Sequence, residues 1–322
     1  MTIQRIRALV SHDFDAVNAL IINKIKSQGG LIDDLANHIV QSGGKRLRPL
    51  IVLLASRACH YNGHHHVSLA AMIEFFHTAT LLHDDVIDES TLRRGRETAN
   101  TIWGSKASIL VGDYLFTQYM QLMIDVGDLN IMQLLTDMAD QIGCGELKQL
   151  SNRHNYGLTL EDYFDVIRSK TSLLFASSAR LGALISHSNT AVNDGLYAYG
   201  LHLGNAFQLI DDALDYCSDA STLGKNVGDD LADGKATLPL LHVLKHGTIA
   251  QQTMVKLSLK EGTLQHLPEI MDAIAQTQAI EFTHSVAENE VDQAIAALNV
   301  LPDSVYKEAL AELAGFAVKR DH

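Results

Sequence analysis

Apolar residues recur along this chain at intervals of three and four: Leu69, Met72, Ile73 and Phe76 lead on to Thr80, and Val192, Leu196, Tyr199 and Leu203 repeat the interval. Side chains so spaced share one face of an α-helix and can be buried together, so the pattern predicts helices. No stretch sustains the alternation of a half-buried strand. Longer connections are expected near residues 60–66, 91–104, 152–158 and 218–235. The chain has 322 residues, 47% of them hydrophobic, with four prolines and no Pro-, Gly- or Ser-rich linker to divide it. The expected architecture is one all-α domain over residues 1–322, a large helical bundle.

One acidic pattern interrupts the apolar repeat twice, as Asp84-Asp85-Val86-Ile87-Asp88 and as Asp211-Asp212-Ala213-Leu214-Asp215. Each DDxxD follows an apolar run, the composition of a packed helix rather than of a solvated acidic face. Helical residues four apart lie on one face, so Asp84 with Asp88, and Asp211 with Asp215, each direct two carboxylates the same way, flanked by Asp85 and Asp212. Six carboxylates gathered in one cavity would repel one another and resist desolvation, so such a cavity is stable at neutral pH only with cations in it. Magnesium suits hard oxygen donors, taking one or two carboxylates and completing its shell with water and a substrate's phosphate oxygens. For either motif alone, an acid-decorated helix face is the alternative.

Such a site expects an anion. Gly43-Gly44-Lys45-Arg46-Leu47-Arg48-Pro49 sets three cations at a glycine-opened helix start, and Arg93-Arg94-Gly95-Arg96 follows the first acidic motif. Helix N-termini favour anions and arginine forks grip phosphate oxygens in pairs, so both runs read as diphosphate holders. Solvated surface is the alternative for each. The net charge of −13 argues against nucleic acid as a partner. Cys59, Cys144 and Cys217 are isolated and odd in number, which points to a reducing compartment. The first twenty residues lack a signal-peptide core and no run of eighteen apolar residues occurs, so a cytoplasmic protein without a membrane anchor is expected. His64, His65 and His66 read as surface residues, being adjacent and without ligand spacing. No Ser-His-Asp or Cys-His arrangement suggests a nucleophilic side chain.

Taken together, GGKRLRP (43–49), HTATLLHDDVIDES (77–90), LRRG (92–95), GDYLFT (112–117), SKTSLLF (169–175), FQLIDDALDY (207–216) and GKNVGDDLADGKATLPL (224–240) resemble the trans-type polyprenyl diphosphate synthases. The resemblance covers nearly the whole chain, and it is strongest to the bacterial long-chain branch whose octaprenyl product serves quinone side chains. It implies an isoprenoid-synthase helical bundle around a deep central cavity, a homodimer, and successive condensation of isopentenyl diphosphate onto an allylic diphosphate, farnesyl diphosphate being the expected primer. It also implies two to three Mg²⁺ ions. By the same resemblance Asp84 and Asp88 hold two ions and Asp211 a third, with Asp85, Asp212 and Asp215 at or just behind them. Arg93, Lys170, Lys225 and Lys235 hold the allylic diphosphate, and Lys45, Arg48, His77 and Arg94 form the isopentenyl diphosphate pocket. Thr171 and Gln208 lie beside the reacting carbons, and Asp229 and Asp230 form a further acidic pair. Asp84, Asp85, Asp88, Asp211, Asp212 and Lys170 are thus the implied catalytic set. His77 stands seven residues before Asp84, two turns back on nearly the same face, and can look into the cavity; a plain core histidine is the alternative. Charge developing on the departing diphosphate is stabilised, the allylic cation is attacked by the isopentenyl double bond, and the released diphosphate takes the proton.

Product length should follow the depth of an apolar tunnel. In the family, aromatic residues four and five positions before the first acidic motif form its floor; here these are Thr80 and Ala79, both small, which leaves the tunnel open at that level. Phe76, one turn deeper, closes it if it points inward, and Met120 and Met123 are flexible candidates for a more distant floor. Core packing is the alternative for all three. Rival readings are a shorter-chain (farnesyl or geranylgeranyl) synthase, a class I terpene cyclase, which has no need of a second anion pocket, and a non-catalytic synthase subunit, which usually lacks one acidic motif.

Overall fold

The structure is a computed structural model that describes residues 2–25, 30, 45–93, 95–217 and 227–319. Gly43, Gly44, Arg94 and Lys225 lie outside the described residues. As the apolar spacing predicts, the described chain is overwhelmingly helical. In order it forms α1 (Ile3–Ala8), α2 (Ser11–Ile25), α3 (Leu47–Ala58), α4 (His65–Ile87), β1 (Leu92–Arg93), β2 (Arg96–Glu97), α5 (Ala99–Trp103), α6 (Ser105–Val126), α7 (Leu129–Ser151) and α8 (Leu160–Ile167). A π-helical turn, Arg168–Ser172, leads into α9 (Leu173–Ile185), α10 (Thr190–Leu214), α11 (Asp229–Ala232), α12 (Leu238–His246), α13 (Ile249–Glu261), α14 (Leu267–Gln276), α15 (Ala279–Ala297) and α16 (Val305–Val318). The strands, unforeseen in the sequence, make one antiparallel hairpin with Leu92 opposite Glu97 and Arg93 opposite Arg96. Two residues per strand are too few to show an alternation.

The chain divides into two compact units, the first of Met1–Asp137, Leu174–Gly200 and Ala297–Leu313, the second of Met138–Leu173, Leu201–Ala296 and Ala314–His322. In the first unit α3 is buried on nearly every side from Pro49 to Ala58, the mark of a central core helix. α4 buries Leu69, Met72, Ile73 and Phe76, the predicted stripe. Glycine permits the closest approach: a Cβ on Gly182 of α9 would stand 2.5 Å from Ser56 N of α3.

The same unit ties down its N-terminal helices with charge. Arg57 of α3 donates from Nε to Asp13 Oδ2 at 2.8 Å and from Nη2 to Asp13 Oδ1 at 2.8 Å, and His66 Nε2 lies 3.2 Å from Asp13 Oδ1. The histidine run is therefore not all surface: α4 begins at His65, which puts His66 on its inner side at 2% exposure, while His64 is exposed. Burial would raise the Asp13 carboxyl, but hydrogen bonds from Arg57 and His66 carry it below its ordinary value. Burial pushes His66 down, against the pull of Asp13.

In the second unit, Tyr163 and Ile167 of α8 pack with Leu209 and Ile210 of α10, Leu238 of α12 and Ala287 of α15. α8 starts with a capping box in which the Thr159 side chain accepts from Asp162 N and the Asp162 side chain accepts from Thr159 N. The π-helical turn is clamped to α10 and α15: Ser172 Oγ donates to Asn205 Oδ1 at 2.6 Å, and Asn205 Nδ2 donates to Glu290 Oε2 at 3.0 Å. A Cβ on Gly204 would stand 2.4 Å from Ser172 Cα, so only glycine lets α10 run this close. Among the described residues no helix is long and apolar enough to cross a membrane.

Asp13→Ala, which strands Arg57 and His66, should cost about 3 kcal/mol in denaturant unfolding. Acidification should also destabilise the fold, because burial disfavours a charged His66. Below the ordinary histidine value of 6.5 the unfolded chain takes up a proton that folded His66 refuses, so stability falls as pH drops through that value. The depressed Asp13 adds a second loss at lower pH, as that carboxylate is protonated. Unfolding midpoints measured between pH 7.5 and 5 should therefore fall in wild type and change less in His66→Phe.

Candidate active site

Each unit carries one acidic motif at the C-terminal end of a long helix. In the first unit α4 stops at Ile87, one residue short of the motif's end, but Asp88 N still bonds to Asp84 O at 2.8 Å. The helical register thus survives, and Asp84 and Asp88 are both half-buried. Asp85 is different, being only 4% exposed. The hairpin presents Arg93 to it: Nε and Nη2 lie 2.8 and 2.7 Å from Asp85 Oδ1. Asn100 Nδ2 closes the loop by donating to Asp85 O at 3.2 Å and Ser90 O at 3.0 Å. Arg93, expected on a diphosphate, is in this structure the partner of the motif's own buried carboxylate.

The expected second pocket is partly assembled. Arg48 Nη1 lies 3.1 Å from His77 Nε2, and its guanidinium sits 4.3 Å from the centre of the Phe175 ring, a cation–π contact that fixes the fork. Lys45 precedes α3 and its carbonyl accepts from Arg7. Arg46 departs from the basic-run expectation. It takes a left-handed backbone (φ 41°) and turns to Asn18 and to Glu74, with Nε 3.5 Å from Glu74 Oε1, so it anchors α4.

Of the chain-length residues, Phe76 and Ala79 are buried, and Thr80 is half-buried with its hydroxyl donating to His77 O at 2.9 Å. Phe76 points into an aromatic cluster, its ring centre 5.9 Å from Phe116 and 5.3 Å from Tyr119, both on α6. Tyr119 is fixed through its hydroxyl, which donates to Leu135 O at 3.0 Å. Met123 is half-buried, but Met120 is 43% exposed and lies on the outer side of α6 with Leu110 and Ile124, so it is no floor within this unit.

The second unit repeats the motif geometry with different partners. α10 ends at Leu214, and Asp215 N bonds to Asp211 O at 3.2 Å. Asp211 and Asp215 are half-buried, and Asp215 Oδ2 accepts from Asp230 N at 3.1 Å, which ties it to the start of α11. Asp212 is 3% exposed and is held by neutral donors: Tyr163 Oη donates to its Oδ2 at 2.5 Å and Gln208 Nε2 to its Oδ1 at 2.7 Å. Thr171 Oγ1 donates in turn to Gln208 Oε1 at 2.8 Å. Burial pushes the Asp212 carboxyl well above the usual carboxylate range and nearby Asp230 adds to the rise, against the hydrogen bonds from Tyr163 and Gln208. Burial and the neighbouring Asp212 push the Tyr163 hydroxyl up as well. Lys170 Nζ pairs with Glu146 Oε2 at 2.9 Å, and Lys235 Nζ with Asp233 Oδ2 at 2.7 Å.

The π-helical turn carries both Lys170 and Thr171, and such turns recur where a function needs side chains off the helical register. Sequence reasoning missed Tyr163, Glu146, Phe116, Tyr119 and Phe175. Tyr163 shares the buried side of α8 with Ile167 and reads there as core, and Phe175 closes the SKTSLLF motif without a polar atom to mark a role. Among the described residues no three Asp, Glu, His or Cys side chains already converge into a closed ion cage. What each motif offers is a pair of half-buried carboxylates one turn apart, the partial oxygen set that Mg²⁺ uses when water and phosphate complete its shell.

A helical fold with paired carboxylates at the ends of long helices, Arg93 on the first motif and Lys170 and Lys235 in the unit of the second, is that of the prenyltransferases that work on diphosphate esters. The chain belongs to the polyprenyl synthetase family, whose profile matches residues 30–276. It is 47% identical over 322 residues, all of both chains, to octaprenyl diphosphate synthase of Escherichia coli (strain K12). It is 40% identical to the geranyl-diphosphate-specific all-trans-nonaprenyl-diphosphate synthase of Rhodobacter capsulatus, with 98% of each chain covered. Among solved structures, a polyprenyl synthase from Caulobacter crescentus CB15, complexed with calcium and isoprenyl diphosphate, superposes with a TM-score of 0.95 at 40% identity, covering 100% of this chain and 98% of that one.

Arg93→Met should destabilise the protein by about 2 kcal/mol, between the value of an exposed pair and that of a fully buried one, because it leaves Asp85 buried without its cation. Arg93→Lys should recover only part of the loss, since an ammonium cannot reproduce the fork. Urea unfolding of both variants checks the order.

Proposed function

We propose that the protein is a long-chain trans-polyprenyl diphosphate synthase, which adds isopentenyl diphosphate successively to an allylic primer, farnesyl diphosphate, to give octaprenyl diphosphate for quinone side chains. The observation that carries this reading is the full-length identity of 47% to the E. coli octaprenyl diphosphate synthase, with both DDxxD motifs and the Arg48–His77 pair intact. Asp84, Asp88, Asp211 and Asp215 would hold two to three Mg²⁺ ions, which supply positive charge against the departing diphosphate. Lys170, Lys235 and Arg93, with Lys225, would orient that diphosphate. Arg48 and His77, with Lys45 and Arg94, would hold the diphosphate of isopentenyl diphosphate, and the Phe175 ring keeps the Arg48 fork in place for this. Thr171 and Gln208 would line the reacting allylic carbons. No side chain forms a covalent intermediate; the proton lost after condensation goes to the released diphosphate.

A shorter product is the second reading, and the Phe76–Phe116–Tyr119 cluster favours it, because three packed rings one turn below Thr80 oppose the passage of a long chain. α6 also exposes Ile109, Leu110, Met120 and Ile124, and we assign this apolar face to a homodimer contact. The three free cysteines suit a cytoplasmic enzyme.

Incubation with Mg²⁺, farnesyl diphosphate and radiolabelled isopentenyl diphosphate, followed by chromatography of the prenols, should give the octaprenyl product. Chelation of the metal or Asp84→Ala should abolish it, and Ala79→Tyr should shorten it. A limit at geranylgeranyl length, relieved by Phe76→Ala, would establish the shorter-chain reading, and no incorporation with any primer would refute both. Light scattering should give a dimer mass that falls to the monomer in a Leu110→Glu, Ile124→Glu variant.

A further inference from the structure

We propose that Tyr163 is a positioning residue of the second acidic motif: by holding Asp212 it gives the Asp212–Gln208–Thr171 hydrogen-bond chain a single direction, and so decides what the Thr171 oxygen presents to the substrate. The inference deepens the prenyl-transfer reading and rests on it. Every residue concerned lies in the second unit.

The three aspartates of this motif do different work. Asp211 and Asp215 are half-buried, whereas Asp212 is buried with both oxygens engaged, one by Tyr163 and one by Gln208. The separation of 2.5 Å from Tyr163 Oη is that of a short O–H···O bond with the phenol as donor. Cations held by Asp211 and Asp215 would draw a loose neighbouring carboxylate toward them. The Tyr163 ring is packed among Ile167, Leu209, Ile210, Leu238 and Ala287, so its hydroxyl is a fixed donor that opposes that swing.

Direction then passes along the chain by the chemistry of each group. An amide side chain has one donor end and one acceptor end. With Nε2 given to Asp212, Gln208 turns Oε1 to Thr171, and the Thr171 hydroxyl has to spend its one proton there. Its lone pairs are left for the other side. An oxygen that has already donated presents negative charge, which suits an allylic carbon becoming cationic. The place of Thr171 is set independently by the π-helical turn and the Ser172–Asn205 clamp, so the sense of the hydrogen bond is the freedom that Tyr163 removes.

The test is steady-state prenyl transfer by full-length wild type, Tyr163→Phe, Asp212→Asn and the double variant, with melting temperatures measured alongside. Tyr163→Phe should lower kcat tenfold or more, the effect of one strong hydrogen bond, while KM for isopentenyl diphosphate stays near wild type and the melting temperature falls by only a few degrees, leaving the enzyme folded at the assay temperature. Asp212→Asn, which supplies a competing donor and lets Gln208 turn over, should lose as much, and the double variant should be no slower than Asp212→Asn alone. Thr171→Ser should retain most activity and Thr171→Val should lose it. A wild-type kcat in Tyr163→Phe, or losses that multiply in the double variant, would overturn the positioning role. Should Tyr163→Phe not fold, Asp212→Asn carries the test, and an unchanged kcat there overturns it equally. An inactive wild-type enzyme would instead overturn the prenyl-transfer reading and the inference with it.

Discussion

A carboxylate withdrawn from water needs a partner, and the helices that carry the two acidic motifs are organised around that need. The middle aspartate of each DDxxD falls on the inner side of its helix, because residues adjacent in sequence point about 100° apart and cannot all face outward. The two units meet the need differently. Asp85 is given a cation, Arg93, and the hairpin from Leu92 to Glu97 is the device that brings it there. Asp212 is given two neutral donors, Tyr163 and Gln208, and no hairpin is required because both already stand on packed helices. A guanidinium neutralises its partner, whereas a phenol and an amide leave the negative charge in place. Burial, with Asp230 close by, therefore pushes the Asp212 carboxyl well above the usual carboxylate range.

Much of this was readable from the sequence. The three-and-four spacing identified the helices, and Leu69, Met72, Ile73 and Phe76 are buried as that spacing requires. The motif carboxylates stand at helix ends in register, and Arg48 meets His77 across elements that no local pattern joins. What escaped has physical reasons. Strands of two residues leave no periodicity, and a π-helical turn has the same composition as an α-helix. Arg46 resembles its basic neighbours in type, but its left-handed backbone sends its side chain to Glu74. His66 looked like one of three loop histidines until the start of α4 at His65 turned it inward. Tyr163 was hidden most completely, because a buried tyrosine within an apolar stripe reads as core, and its hydroxyl acquires a role only through a residue 49 positions away.

The π-helical turn from Arg168 to Ser172 has a further consequence. It amounts to one residue inserted into an otherwise continuous helix, so the side chains beyond it are rotated about 100° from where the register of α8 would put them. Thr171 meets Gln208, and Ser172 meets Asn205, only because of that offset. The two contacts are thus joined by phase as well as by proximity. Removing a single residue anywhere between Ile167 and Thr171 would restore a regular helix and lose both together, whereas side-chain substitutions remove them one at a time. In this stretch the count of residues carries as much information as their identity, and it tolerates changes of letter better than changes of length.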